Sequence, residues 1–278
     1  MESACRPARS ARSRSVSPSR ERGDVIRYAL LGLVQGLTEF LPVSSSGHLV
    51  LARALLGVSV PGVALEATAH LGTLIALLIY FRRDLVQLTI AVVRPGEERR
   101  YVGLLVLGTV PVVVVGLLAR SAIERAFGSP SLVGWMLLVT AAALGWGQVQ
   151  ARRATRDRVR LPDALAVGLA QAAALLPGIS RSGSTVAAGL GLGLRPTVAA
   201  RYSFLLAIPA IGGASVVTLV QTAGHPAVEW SGLAVTMGCA FASGLVAIPV
   251  FLRILRAGVL WPFALYCAAI GLIVLVLG

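Results

Sequence analysis

The sequence predicts an all-α polytopic membrane protein in which six transmembrane helices and two re-entrant helix–loop–helix hairpins form an inverted repeat. Three observations predict this class. Hydrophobic residues make up 56% of the 278 positions and charged residues only 13%, about half the charged share of a soluble domain. Long apolar segments follow one another closely from Val25 onward, and two of them are interrupted by related polar motifs. This composition excludes an ordinary cytosolic enzyme and a disordered or collagen-like chain.

The chain carries a strong excess of positive charge, and a single residue type supplies it. The formal net charge is +13, and all 25 basic residues are Arg. In a soluble protein this excess would indicate a nucleic-acid partner. Here the Arg residues lie between apolar runs, so we expect membrane loops and no nucleic acid. Cys5, Cys239 and Cys267 are scattered without a C-x-x-C pair, which disfavours a disulfide framework or a zinc site.

The N-terminal residues 1–24 predict a disordered tail, because six Arg and few large apolar side chains bury too little surface to fold. A signal peptide is disfavoured, since no A-x-A cleavage site follows the first apolar run. The remaining chain is expected to divide into a first repeat over 25–150 and a second repeat over 151–278.

Six apolar segments of about 20 residues are long enough to span a bilayer. They lie at residues 63–81, 101–120, 132–150, 202–221, 230–252 and 258–277. Residues 25–57 and 163–194 differ, because LPVSSSGH at 41–48 and LPGISRSGST at 176–185 interrupt them. Backbone that leaves a helix at membrane depth is tolerated only where protein or water satisfies it. Both stretches are therefore predicted to be re-entrant hairpins.

The two interrupted stretches resemble each other. A shift of 136 residues aligns Gln35 with Gln171, Ser44 with Ser180, Ser46 with Ser182, Gly47 with Gly183 and Gly57 with Gly193. Three predicted spans follow each copy, and an odd number of spans gives the two copies opposite orientations. Inverted repeats of this kind place a site at the repeat interface near mid-membrane.

The distribution of Arg predicts the orientation. If each hairpin returns to the side from which it came, the loops 82–100, 151–162, 195–201 and 253–257 share one face and carry fourteen Arg. The positive-inside rule makes that face cytoplasmic, so both termini and the site are expected to face outward. The Arg-rich tail is an argument against this orientation.

Ionisable side chains inside membrane segments mark functional sites by default. Those of this chain are Glu39, His48, Glu66, His70 and Arg181. In the first hairpin, Gln35 and Glu39 lie four residues apart and share a helical face. That face offers an amide and a carboxylate oxygen to a hard cation or to water, which makes both residues candidate metal ligands.

The first polar loop is predicted to end one helix near Pro42 and to open the next around Gly47 or His48. Ser44, Ser45 and Ser46 are the candidate N-caps of that second helix. A helix N-terminus with free N–H groups binds anions, and a neighbouring His48 can carry protons near neutral pH.

The second polar loop places an Arg among hydroxyls and Gly. Its candidate phosphate-binding residues are Ser180, Arg181, Ser182, Gly183, Ser184 and Thr185. The Arg fork suits a phosphate group, and two opposed helix N-termini would grip a doubly charged anion with it. A carboxylate and a His opposite Arg181 indicate that the phosphate is hydrolysed as well as bound.

Each of these residues also has a purely structural interpretation. Ser and Thr in membrane helices commonly satisfy neighbouring backbone groups. Glu39 would serve equally as a buried partner for Arg181. Glu66 and His70 lie one turn apart, either as outer neighbours of the site or as a pair that satisfies itself.

The motifs QGLTEFLPVSSSGH at 35–48 and PGISRSGST at 177–185 resemble the two motifs of the bacitracin-resistance type undecaprenyl-diphosphate phosphatases. SFLLAIPA at 203–210 is also similar to that family, and the resemblance extends over about residues 25–277. It implies a multi-pass enzyme of the bacterial cell membrane that acts on undecaprenyl diphosphate within the lipid bilayer. A second copy of the chain, in a homodimer, is a further candidate partner.

Carried over by position, the resemblance implies that Glu39 is the essential acid and that Ser45 and His48 belong to the catalytic centre. Arg181 would bind the diphosphate beside Ser180 and Ser182. The resemblance also implies a divalent cation, Mg²⁺ or Ca²⁺. Gln35 stands where many members have Glu, so we expect the ion to be held largely by substrate phosphates and water.

The expected reaction is hydrolysis of undecaprenyl diphosphate to the monophosphate and phosphate, which recycles the lipid carrier of the cell wall. Either Ser45 or water is the nucleophile, and the prenyl tail is expected to lie in apolar grooves between spans. The rival interpretation is a transporter or flippase for a phosphate-bearing lipid or anion. Glu39 with His48 argues against it, because an anion carrier has little use for a carboxylate facing its substrate. A structural scaffold would leave Arg181 unexplained.

Overall fold

The computed structural model describes residues 18–58, 62–93, 95–222 and 230–277. Within them the regular structure is helical, apart from one isolated bridge between Arg156 and Leu194. The described helices are α1 (Pro18–Phe40), α2 (Ser45–Leu56), α3 (Gly62–Tyr80), α4 (Arg82–Val93), α5 (Glu97–Leu118), α6 (Arg120–Ala126), α7 (Pro130–Ala151), α8 (Leu161–Ala173), α9 (Arg181–Gly191), α10 (Pro196–Thr222), α11 (Trp230–Arg256) and α12 (Trp261–Leu277). The predicted all-α class is confirmed.

Only a part of the predicted N-terminal tail, residues 18–24, belongs to the described residues. Its residues 1–17 lie outside the described part of the chain, whereas residues 18–24 form the first turns of α1.

Several helices are suited to a bilayer. Among the described residues, α5, α7, α11 and the Pro196–Thr218 part of α10 are each long and apolar enough to cross it. Ala64–Tyr80 and Arg82–Val93 pass the same test together, although the two helices are bent by 77°. The helices α8 and α12 are apolar but shorter. The described part of the chain therefore contains four helices that can cross a membrane, or five if the bent pair is one span, and the chain is a multi-pass membrane protein.

The prediction of a plain loop over 82–100 is wrong. This stretch forms α4 and the first turn of α5. On α4, Leu85 and Leu88 pack against the main core, while Val86 and Ile90 are exposed. A helix with apolar side chains on both its inner and outer sides fits the edge of a bilayer, where a water-exposed loop would not need them.

Both interrupted stretches fold as two helices joined by a short loop. Residues 41–44 separate α1 from α2, and residues 174–180 separate α8 from α9. Each loop contains a Pro, which has no backbone N–H to continue a helical ladder. In each pair the two helices contact each other, so the polar loops lie at the tips of compact hairpins.

The helices of the two halves pack in matching ways. The pairs α1–α11 and α8–α5 are in contact, as are α3–α11 and α10–α5. The contacts α3–α10 and α7–α12 join the corresponding helices of the two halves directly. The helices α1, α3, α5 and α7 correspond in order to α8, α10, α11 and α12. Exchanging each helix with its counterpart leaves this set of contacts unchanged.

Close helix crossings are made by Gly. A Cβ atom on Gly168 of α8 would lie 3.0 Å from the carbonyl carbon and 3.1 Å from the Cα of Gly108 in α5. Since both are backbone atoms, the two helices would have to separate. Small residues at such crossings let membrane helices approach closely.

We therefore expect Gly168→Ala to destabilise the protein by about 1–3 kcal/mol, the usual cost of overpacking. The matched control is Gly145→Ala in α7, where a Cβ would meet nothing within 4 Å. Thermal unfolding of both variants in detergent measures the difference. Equal midpoints for the two variants would show that the α5–α8 crossing does not depend on Gly168.

Candidate active site

The first polar loop ends by capping α2. Ser44 has φ 69°, the only positive φ of a non-Gly residue in the described chain. This backbone conformation is costly for a residue with a Cβ and is typically found at functional sites. It lets the Ser44 Oγ accept a hydrogen bond from the Gly47 amide at 3.3 Å, and the Ser46 Oγ lies 3.4 Å from it.

The second polar loop repeats this cap at the start of α9. The Ser180 Oγ accepts a hydrogen bond from the Gly183 amide at 3.1 Å, and the Ser182 Oγ lies 3.3 Å from it. Both copies of S-x-S-G thus have the same hydrogen bonds. The cap itself explains the repeated motif, because a Ser oxygen satisfies an otherwise unpaired amide of the first helical turn.

Thr140 of α7 supports the second loop. Its Oγ1 accepts from the Ser180 amide at 2.9 Å and donates to the Gly178 carbonyl at 2.8 Å. Gly178 has φ 101°, which favours a residue without a Cβ. Nothing in the sequence indicated this role, since Thr140 lies in a predicted span far from either motif.

The two loops meet each other. The Ser182 Oγ donates to the Leu41 carbonyl at 3.1 Å. A Cβ on Gly183 would lie 3.2 Å from the Pro42 Cβ, and one on Gly47 would lie 3.4 Å from the Gly178 Cα. The N-termini of α2 and α9 are thereby brought together, as the sequence predicted for the anion-binding residues.

Glu39, at the end of α1, is the centre of the site. Its Oε1 accepts from Arg181 Nη2 at 2.5 Å, and its Oε2 accepts from Ser45 Oγ at 2.5 Å and Gln35 Nε2 at 3.0 Å. The His70 Nε2 lies 3.4 Å from the same Oε2. The side chain is 4% exposed, so its charge depends on these partners.

Two polar atoms of this cluster are buried without a hydrogen-bond partner in the described structure: Arg181 Nη1 and Gln35 Oε1. An unpaired buried donor on a charged group is costly. Arg181 therefore holds Glu39 with one arm of its fork, while the other arm has no hydrogen-bond partner in the described structure. Among the predicted phosphate-binding groups, this is the strongest donor.

His48 forms no hydrogen bond or ion pair with Glu39 in the described structure. Its Nδ1 lies 2.8 Å from the Ser44 carbonyl and its Nε2 lies 2.8 Å from the Tyr266 hydroxyl. The imidazole beside Glu39 belongs to His70 instead. Tyr266 lies in the last helix, and nothing in its sequence surroundings indicated this contact.

The side chains of Glu66 and His70 do not form a self-satisfied pair. His70 Nδ1 lies 2.7 Å from the backbone oxygen of Glu66, whereas the Glu66 carboxylate lies 3.9 Å from Arg53 Nη1. His70 is thus a direct neighbour of Glu39. Glu66 extends the charged cluster outward to Arg53, which the sequence did not single out.

Two predicted phosphate ligands bond to protein groups. The Ser184 Oγ donates to the carbonyls of Ala170 and Arg181, both at 3.2 Å. The Thr185 Oγ1 donates to the Arg181 carbonyl at 2.6 Å and lies 2.6 Å from the Ser203 Oγ. Both hydroxyls stabilise the first turns of α9 around Arg181.

The donor set does not fit a protein-held metal ion. The described residues include no group of three or more His, Cys, Asp or Glu side chains arranged to bind one. Both oxygens of Glu39 already accept hydrogen bonds, one of them from a cationic Arg. Of the two predicted metal ligands, Glu39 and Gln35, only Gln35 has a side-chain oxygen without a hydrogen-bond partner in the described structure, Oε1. A single amide oxygen does not hold Mg²⁺ or Ca²⁺.

His70→Ala is expected to lower the kcat/KM for the hydrolysis that the sequence predicts about tenfold, the equivalent of one charge-assisted hydrogen bond of ~1.4 kcal/mol. Glu39 would lose one neighbour but keep Arg181 and Ser45. Steady-state kinetics in detergent measures the change, with Thr68→Ala as a control on the same helix. Thr68 hydrogen-bonds only within α3. Unchanged kinetics in His70→Ala would remove His70 from the site.

The chain was compared with known proteins. Residues 28–273 match the family described as bacitracin resistance protein BacA. The undecaprenyl-diphosphatase of Syntrophotalea carbinolica is 43% identical over 249 residues, 87% of this chain and 94% of the relative. That of Methanosphaera stadtmanae is 38% identical over 272 residues, 91% and 98% of the two chains. Undecaprenyl-diphosphatase 3 of Frankia alni is 41% identical over 275 residues, 89% and 93%. The chain belongs to the BacA family.

Proposed function

We propose that this chain hydrolyses undecaprenyl diphosphate to undecaprenyl phosphate and phosphate, recycling the carrier lipid of peptidoglycan synthesis and conferring bacitracin resistance. The names of its relatives support the reaction. The proposal depends on the two arms of Arg181. Nη2 donates to Glu39, whereas Nη1 is buried without a protein partner in the described structure. A diphosphate oxygen is the anion that this arm, beside two helix N-termini, is suited to bind.

The short hydrogen bond from Ser45 to Glu39 favours Ser45 as the nucleophile. Glu39 would accept the Ser45 proton while Oγ bonds to the terminal phosphorus. The bond from that phosphorus to the bridging oxygen breaks, and undecaprenyl phosphate leaves. Water then cleaves the phosphoserine and releases phosphate. We expect His48, one turn further along α2, to exchange protons with that water.

Most of the rate enhancement is expected from charge neutralisation, as in other phosphoryl transfers. The groups that supply it are Arg181 Nη1 and the first turns of α2 and α9. A divalent ion, Mg²⁺ or Ca²⁺, would arrive on the diphosphate and be held by phosphate oxygens and water. Neither Glu39 nor Gln35 needs to bind it.

An apolar groove supports binding of the prenyl chain. A cavity of about 240 Å³ is lined by Thr140 and Trp146 of α7, by Ile179 of the second loop and by Ser184 of α9. Ala187 forms part of its wall. The groove thus starts beside the phosphate-binding loop and continues along α9 between apolar side chains, as a substrate with a long hydrocarbon tail requires.

The experiment that tests the reaction is a rapid acid quench of purified chain mixed with undecaprenyl [β-³²P]diphosphate. We expect labelled phosphate in solution and a transient label on the peptide containing Ser45. Ser45→Ala should lose both. Release of phosphate by Ser45→Ala at the wild-type rate would show that water attacks directly.

We also propose six spans and two re-entrant hairpins in an inverted repeat, with the site facing the outer side. The matching helix contacts of the two halves and the paired Ser caps support this arrangement. The orientation is tested with Arg158→Cys and Glu124→Cys, each introduced alone into a variant without the native Cys residues and treated with a membrane-impermeant maleimide. Labelling of position 124 but not 158 in intact cells is expected, and the reverse would invert the orientation.

A transporter for a phosphate-bearing lipid is the second candidate, because hairpin loops meeting at a repeat interface are also transporter architecture. Vesicles containing the chain and fluorescent undecaprenyl diphosphate distinguish the two. The phosphatase predicts phosphate release without lipid exchange between leaflets, and the transporter predicts exchange without release.

A further inference from the structure

Tyr266 of α12 holds the imidazole of His48 in two ways. Its hydroxyl lies 2.8 Å from His48 Nε2. The two rings are also nearly parallel, with centroids 5.5 Å apart and an interplanar angle of 11°. A ring fixed by an edge hydrogen bond and by a stacked face keeps one orientation, because rotation about either side-chain torsion would break one of the contacts.

The hydrogen bonds also define which nitrogen carries the proton. The Ser44 carbonyl 2.8 Å from Nδ1 can only accept, so Nδ1 must be the protonated nitrogen of the neutral ring. Nε2 then carries the lone pair, and the Tyr266 hydroxyl donates to it. The nitrogen that would take a proton from water is thus covered by a phenol.

The next residue of α12 touches the same loop. Cys267 is fully buried, and its Sγ lies 3.6 Å from the Pro42 carbonyl. The loop between α1 and α2 is therefore held from one side by two consecutive side chains of α12. Tyr266 itself is 43% exposed, so it contacts His48 at the edge of the site.

We propose that Tyr266 is a positioning residue for the hydrolysis, a role that rests on the proposed function. It fixes the plane and the tautomer of His48 and covers Nε2 until water takes the place of its hydroxyl. No proton leaves the phenol in this exchange. The hydrogen bond moves from the Tyr266 hydroxyl to the incoming water, whose proton His48 then accepts.

The test is Tyr266→Phe in the full-length protein, which keeps the stacked ring and removes only the hydroxyl. Carbethoxylation of His48 by diethyl pyrocarbonate, followed by peptide mass spectrometry, reports on the accessibility of Nε2. We expect His48 to react several-fold faster in Tyr266→Phe. At the same time kcat should fall roughly tenfold, a part of the 10²–10⁴-fold that acid–base groups contribute, and KM should stay unchanged. Tyr80→Phe is the matched control, because its ring packs on Phe81.

An unchanged rate of His48 modification in Tyr266→Phe would overturn the proposal. So would a rise in KM with kcat preserved, because that pattern indicates a contact with the substrate. The modification rate does not depend on turnover. If the wild-type chain releases no phosphate, the proposed function fails while the contact between Tyr266 and His48 is still measured.

Discussion

Arg181→Ala is expected to reduce phosphate release from undecaprenyl diphosphate by roughly 10³–10⁵-fold, the range found when an Arg that stabilises a phosphoryl-transfer transition state is removed. The substitution deletes the free Nη1 donor. It also leaves the buried Glu39 carboxylate without the cation that lies 2.5 Å from it. Steady-state kinetics of the purified variant in detergent measures the loss.

Arg181→Lys separates charge from geometry. Lys supplies a positive charge but cannot hold Glu39 and the phosphate with two arms of one planar fork, so an intermediate activity is expected. Arg158→Ala is the control, because Arg158 is 79% exposed and pairs with Glu97 at the surface. Near-wild-type kinetics in Arg181→Ala would contradict the assignment of this Arg to the phosphate.

Glu39→Gln is expected to lower kcat by roughly 10²–10⁴-fold, the contribution of a positioned acid–base group. Gln has nearly the same shape but removes the negative charge that accepts from Ser45, Gln35 and Arg181. Ser45 would lose its proton acceptor, and Arg181 would lose its anchor. The quenched assay should therefore show phosphate release and labelling of the Ser45 peptide slowed to the same extent.

The control for Glu39→Gln is Glu124→Gln, a half-exposed surface residue paired with Arg120. Combining Glu39→Gln with Arg181→Ala tests whether the two residues act as a unit. We expect the double variant to lose about as much activity as the worse single variant, because residues of one network are not additive. Full additivity would mean that the ion pair is incidental to the reaction.

The parts of this molecule that were predictable from sequence depend on local chemistry. Span length follows from apolar runs, and the spacing S-x-S-G is itself the cap: the Ser oxygen reaches the amide three residues on. The pairing of Glu39 with Arg181 was foreseen as a structural alternative, since two unlike charges at membrane depth need partners. The structure adds that Arg181 Nη1 has no hydrogen-bond partner within the described part of the chain.

The parts that were not predictable depend on contacts between distant segments. Which imidazole reaches Glu39 is decided by how α3 packs beside α1, and so His70 rather than His48 lies there. Tyr266 reaches His48 across 218 residues of chain. The helix α4 was missed for a different reason: two Arg and an Asp at its start resemble a cytoplasmic loop, although the residues that follow have apolar side chains to pack.

Hydrolysis of undecaprenyl diphosphate with the help of Arg181 is tested by measuring the inorganic phosphate that the purified chain releases from this substrate in lipid vesicles with Mg²⁺ supplied. We expect one phosphate and one undecaprenyl phosphate for each substrate consumed by the wild type, and release slower by roughly 10³–10⁵-fold from Arg181→Ala. Absence of phosphate release by the wild type, or equal release by both proteins, would contradict it.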